Sequence, residues 1–276
     1  MNRSQPTPGN ASASIGDIPS AVQNVIAARL AQLEREEDVY ILFAVESGSR
    51  AWGFPSPDSD YDVRFVYIRR RADYLRLTPM RDVLEQPIVD EIDLNGWDVR
   101  KFLGLLLKSN AVACEWLLSP IRYRPDHAVT SKLTALADAV FDPLAIGRHY
   151  ASLGQHAAER CLDYDGPVAV KRYFYALRPA LAIRAMRVDP WRRPPMNLQQ
   201  LIGRSQPDPT LVSLIADLVA AKSQTREAAP TCRYPELETF IREEFGRVEE
   251  LPSRPPPADR EDAANALFLR LVDELR

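Results

Sequence analysis

The strongest constraint on how this chain can fold is a pair of β-prone runs joined by a polar loop that carries glycine, serine and carboxylates. Val39 to Val45 is a continuous apolar run bounded by charges and glycine, which fits a buried strand. Tyr61 to Arg69 alternates Val63, Phe65 and Tyr67 against Asp62, Arg64 and Val66, the period-two pattern of a strand with two different faces. The loop begins Glu46-Ser-Gly-Ser-Arg and ends Ser59-Asp60. Gly48-Ser49 lets the backbone approach a polyanion closely, with N–H groups and a hydroxyl as donors to phosphate. Asp60 and Asp62, two apart on a strand, point the same way. Like charges held together repel unless a cation neutralises them, so the pair is a platform for Mg²⁺. A third strand is expected from Ile88 to Leu94. It carries Asp93, which can complete a two-metal site, and Glu91, which shares its face and is the alternative third carboxylate.

The rest of the chain divides in two. Residues 1–17 are polar and read as a disordered tail without an apolar export signal. Ile18 to Glu36 has helical spacing in Val22, Val25, Ile26, Leu30 and Leu33. Asp98 reads as the N-cap of a helix through Lys108, with Phe102, Leu103, Leu106 and Leu107 on its apolar side. Beyond Pro120 the character changes. From about His127 the sequence is a succession of Ala- and Leu-rich helical stretches cut at Pro194-Pro195, Pro207 to Pro209 and Pro255 to Pro257, without a strand pattern. The expected class is α+β: an α/β domain over 18–125, then an all-helical domain over 126–276. A chain of 276 residues has room for two domains.

Charge excludes one class of function and marks one segment. With 35 basic and 38 acidic residues, the net of −3 rules out a globally basic nucleic-acid coat protein. A local basic stretch remains: residues 171–193 hold seven Lys and Arg against Asp189 alone. The helix expected over Val168 to Arg187 sets Lys171, Tyr175 and Arg178 on one face. The two cations can clamp phosphates and the tyrosine can stack on a base. Arg69-Arg70-Arg71 reads as an exposed loop, and the four tryptophans as packing anchors. Cys114, Cys161 and Cys232 are too few and too scattered for a disulfide framework, which suits a reducing cytoplasm. No apolar run approaches the roughly 18 residues of a membrane span.

Gly48-Ser49, ten intervening residues and Asp60-x-Asp62 resemble the signature of the DNA polymerase β-type nucleotidyltransferase superfamily. The extended run Gly-Ser-Arg-Ala-Trp-Gly (48–53), with Ser56, Ser59 and Asp60-Tyr-Asp62, resembles its predicted nucleotidyltransferases associated with RNA-repair pathways. The likeness continues through Asp93, Gly96-Trp97-Asp98, Lys101, Asn110, Glu115-Trp116-Leu117, Lys171-x3-Tyr175 and Arg178-Pro179. The resemblance implies a mixed sheet flanked by helices, followed by a helical domain that binds nucleotide and acceptor. It implies transfer of a nucleoside monophosphate from an NTP to an acceptor hydroxyl, with two Mg²⁺ ions, or Mn²⁺, held by Asp60, Asp62 and Asp93. Gly48, Ser49, Ser59, Lys171, Tyr175 and Arg178 are then expected to meet the nucleotide. Arg50 is either a further phosphate contact or an ion-pair partner of the nearby acids. The expected acceptor is an RNA end. The alternatives are a protein hydroxyl, as in toxin modification, or a non-catalytic module that binds nucleotide or RNA.

Overall fold

The computed structural model describes residues 17–159, 168–224, 230–231, 233–255 and 257–275; the N-terminal tail, Cys161 and Cys232 lie outside them. The first helix, α1 (Ser20–Glu37), buries Ile26, Leu30 and Leu33 and stops at Asp38, whose left-handed backbone (φ 49°) lets its N–H return to the Glu34 carbonyl. The two β-prone runs form β1 (Tyr40–Glu46) and β2 (Tyr61–Ile68), an antiparallel pair joined through a short helix, α2 (Ser49–Trp52). After β2 come α3 (Arg71–Tyr74), β3 (Val83–Glu85) and β4 (Ile92–Asp98), then α4 (Val99–Leu106), α5 (Ala111–Leu118) and β5 (Arg122–Arg124). The five strands make one mixed sheet in the order β3-β4-β2-β1-β5, in which only β2 and β4 run parallel.

The sheet has two differently used faces. Val63, Phe65, Tyr67 and Leu94 pack beneath α1. The opposite face carries Leu42, Phe43, Val45, Val66 and Ile68, and its core continues into the helices. A register shift in β1 between Ile41 and Phe43 explains how Leu42 and its neighbour Phe43 reach the same core. The helical part comprises α6 (His127–Ala139), α7 (Pro143–Glu159), α8 (Val170–Val188), α9 (Leu198–Ser205), α10 (Pro209–Gln224), α11 (Pro235–Gly246) and α12 (Arg260–Leu275). A two-residue ladder, β6 (Val168–Ala169) with β7 (Pro230–Thr231), precedes α8. Helix α8 is the hub: α7, α9, α10 and α11 all pack on it. Among the described residues no helix is long and apolar enough to cross a membrane.

Three expectations need correction. The third strand is β4, four residues later than expected, because residues 89–92 form a tight turn with positive φ at Asp90 and Glu91. The strands β6 and β7 lie beyond His127, where the sequence shows no strand pattern; each has only two residues, too few for a period. Arg69-Arg70-Arg71 is exposed only at Arg70 and Arg71. Arg69 is buried over the Tyr67 ring, Arg70 pairs with Asp38 and Arg71 with Asp273.

Candidate active site

The turn between β1 and α2 is shaped around a carboxylate. A Cβ at position 48 would stand 1.8 Å from Asp62 Oδ2, so only glycine lets the backbone pass that close. Gly53 ends α2 in the left-handed region (φ 89°), where its N–H reaches the Ser49 and Arg50 carbonyls. Beneath the turn lies Glu46, fully buried. Its Oε1 accepts from the Gly48 and Asp62 backbone N–H groups at 3.1 and 3.0 Å, and its Oε2 accepts from the Tyr123 hydroxyl at 2.6 Å. Burial pushes its carboxyl up to about 7, with the Asp62 charge adding to the rise and the three hydrogen bonds opposing it.

The carboxylates of β2 and β4 stand side by side, since the parallel register pairs Asp62 with Asp93 and Arg64 with Asn95. One guanidinium nitrogen of Arg64 donates to both, at 2.9 Å to Asp62 Oδ1 and 2.7 Å to Asp93 Oδ2. The Asp62 carboxyl is raised above its usual range, first by burial and then by the Asp93 and Asp60 charges; Arg64 is the main opposing influence. Glu91 lies exposed in the turn before β4, away from this row.

Helix α8 closes the site over the sheet. Its Phe174 stacks on Phe54 (4.1 Å between centroids), and its Tyr175 meets Trp52 edge-on at 5.5 Å. Two cavities result. A narrow cleft of about 60 Å³ is lined by Ser49, Asp60, Asp62, Lys171, Tyr175 and Lys222. A chamber of about 410 Å³ also borders Asp62, bounded by Arg64, Asn95, Trp97, Trp116, Tyr175 and Arg178 among others. Lys222 reaches the cleft from α10 at 2% exposure, with its ammonium 5.3 Å from the Phe54 centroid.

The expected site residues therefore divide by location. Ser49, Asp60, Asp62, Lys171 and Tyr175 share the cleft, and Asp93 adjoins it through Arg64. Ser59, 1% exposed, lies behind Ser49 and accepts its hydroxyl at 2.9 Å. Arg50 forms no ion pair with the nearby acids among the described residues: it stacks on Tyr61 and donates to the Ser59 and Asp60 carbonyls, fixing the loop. Arg178 is tied at 2.9 Å to Glu115 and lies under Trp52, in the wall of the larger chamber. The basic run is largely spent inside the fold, with Arg184 and Arg187 on Glu244 and Arg193 on Asp138. Glu46, Arg64 and Lys222 were not expected. Arg64 has a sequence signal, since it sits two residues after Asp62 and thus on its face. Lys222 has one too, because Leu211, Ile215, Leu218 and Lys222 fall at one helical spacing and form a single buried stripe.

Among the described residues no three His, Cys, Asp or Glu side chains converge as a ready cage for a metal ion. The donor set still fits Mg²⁺. This ion is usually held by one or two carboxylates, with substrate phosphates and waters completing its shell, and Asp60 and Asp62 offer such oxygens to one cleft. Asp93 can join them only where Arg64 releases it.

The chain is 36% identical over 253 residues to the uncharacterised protein YcgL of Bacillus subtilis (strain 168), covering 91% of this chain and 96% of that one. A solved structure of a nucleotidyltransferase-like protein from Exiguobacterium sibiricum 255-15 aligns over 92% of this chain and 80% of its own, with 12% identity and a TM-score of 0.32. Residues 22–270 match the family model described as "RNA repair pathway DNA polymerase beta family". The chain thus belongs to that family, and it is a nucleotidyltransferase of the polymerase β type.

Proposed function

We propose that this protein moves a nucleoside monophosphate from an NTP to the hydroxyl of an RNA end. The observation that carries the reading is the composition of the narrow cleft, where two carboxylates, Asp60 and Asp62, face two lysines, Lys171 and Lys222, beside the Ser49 hydroxyl. That set matches a divalent cation bearing a polyphosphate: the carboxylates take the cation and the lysines take phosphate oxygens. A cation held by Asp60 and Asp62 supplies charge stabilisation as pyrophosphate leaves. The chain supplies the remainder. Ser49, its hydroxyl turned from Ser59 to the ligand, donates to a phosphate oxygen, and Lys171 and Lys222 hold the β and γ phosphates. Gly48 and Glu46 keep the Asp62 carboxylate in position. The acceptor oxygen attacks the α-phosphorus, its proton passes to Asp93 once Arg64 lets that carboxylate go, and the bond to pyrophosphate breaks. The RNA acceptor rests on the family's RNA-repair association.

The test incubates the protein with Mg²⁺ and each α-labelled NTP, with total RNA and cell lysate as acceptors. Label in RNA is expected, and Asp60→Ala with Asp62→Ala should abolish it. Label in a polypeptide alone overturns the RNA acceptor. A double variant that labels as well as the wild type overturns the site.

A further inference from the structure

The larger chamber has no part in the reaction as described so far, yet it shares Asp62, Trp52 and Tyr175 with the narrow cleft. In an in-line displacement the nucleophile enters opposite the leaving group. If pyrophosphate leaves among Lys171 and Lys222, the attacking hydroxyl arrives from the direction away from those lysines, and the larger chamber shares Asp62 with the cleft but neither lysine.

The walls of that chamber indicate what carries the hydroxyl. Strand alternation sets Asp93, Asn95 and Trp97 in a row on one face of β4. Trp97 stacks on Trp116 at 3.9 Å and 25°, and Trp116 is backed by Phe102, so the indole is a rigid, half-exposed platform. Tyr175, 43% exposed, also lines the chamber. Two buried donors in its wall, Trp116 Nε1 and Arg178 Nε, have no hydrogen-bond partner among the described residues. A volume of about 410 Å³ is in the range, about 300–1,000 Å³, of cavities that hold one small organic ligand. It accommodates one nucleotide.

We infer that this chamber seats the terminal nucleoside of a single-stranded acceptor, its base stacked on Trp97 and its hydroxyl turned toward Asp62 and Asp93. The assignment rests on the nucleotidyl-transfer reading above. Trp97 is the residue on which acceptor binding turns, and Asn95 and Arg64 are the polar groups beside it.

The experiment measures binding without turnover. A short oligoadenylate with a free 3′ hydroxyl and, separately, Mg·ATP are titrated into wild type, Trp97→Ala, Trp97→Phe and Lys222→Met, with thermal melting to verify folding. Trp97→Ala should weaken oligoadenylate binding by about ten-fold or more, the loss expected when one base loses its stacking ring. Trp97→Phe should recover part of it, and neither should change Mg·ATP affinity. Lys222→Met should show the reverse. The inference is overturned if folded Trp97→Ala binds oligoadenylate as the wild type does. It is equally overturned if the wild type binds Mg·ATP but not oligoadenylate, or if the two ligands exclude each other, since the chamber then holds the donor's own base. If wild type binds no Mg·NTP at all, the transfer reading itself fails.

Discussion

Glu46 shows how much of this site depends on a residue that touches no substrate. Its carboxyl is buried and raised to about 7 from the ordinary 4.5, so the folded protein holds this proton more tightly than the unfolded chain does. The stability this confers is complete below about pH 4.5 and disappears as the pH rises to about 7. At about 1.4 kcal/mol per pH unit, the loss across that window is of the order of 3 kcal/mol. Glu46→Gln keeps an oxygen for the Gly48 and Asp62 N–H groups and a polar group for Tyr123, but it has no proton to lose. Chemical denaturation of the metal-free proteins from pH 4.5 to 8 should show the wild type losing stability relative to the variant by that amount. Parallel curves would mean that Glu46 does not titrate in this range. Gly48→Ala tests the neighbouring contact. Its methyl must displace the Asp62 carboxylate, so Mg²⁺-dependent transfer should fall by at least about 100-fold, the scale of a misplaced reacting group, while far-UV circular dichroism is retained.

At the scale of elements, the site is a strand–turn–strand unit held against one helix. Helix α2 is a single turn and cannot be stable alone; Phe54 on Phe174 and Trp52 on Tyr175 and Arg178 anchor its end to α8. Phe54 is 3% exposed. Phe54→Ala should therefore lower the unfolding free energy by about 3–5 kcal/mol, measured by urea titration, and loosen Lys222 as well as α2. This level also shows what a sequence can reveal. The strands β1 and β2 were legible because a long apolar run and a strict alternation are strong local signals. The exact place of β4 was not, because its start is set by the left-handed turn at Asp90 and Glu91, two residues that carry no glycine to announce it. That Asp60 and Asp62 share a cleft with Ser49 was legible from their spacing taken together with the Gly-Ser turn and the flanking strands. The cationic run 171–193 misled for a physical reason: a linear count of charge cannot see that Glu115, Asp138 and Glu244, distant in sequence, pair with Arg178, Arg184, Arg187 and Arg193.

At the scale of the whole molecule, the donor cleft takes Asp62 from the sheet, Asp60 from the loop just before β2, Lys171 from α8 and Lys222 from α10, far along the chain from both carboxylates. A ligand that engages all four couples the sheet to the helical half, so its binding should stabilise the entire fold. Mg·NTP at about 100 times its dissociation constant contributes about 2.7 kcal/mol. At about 2–4 °C per kcal/mol for a chain of this size class, the melting temperature should rise by about 5–10 °C. Removing the ammonium in Lys222→Met deletes a charge-assisted hydrogen bond to phosphate, a loss of about 1.5–3 kcal/mol. At the same ligand concentration the rise should then shrink to less than about half. The increment, rather than the starting melting temperature, is the decisive reading. A lysine that only fills space beside Phe54 would alter the ligand-free value and leave the response to Mg·NTP intact. A lysine that holds phosphate loses the response whatever the ligand-free value does.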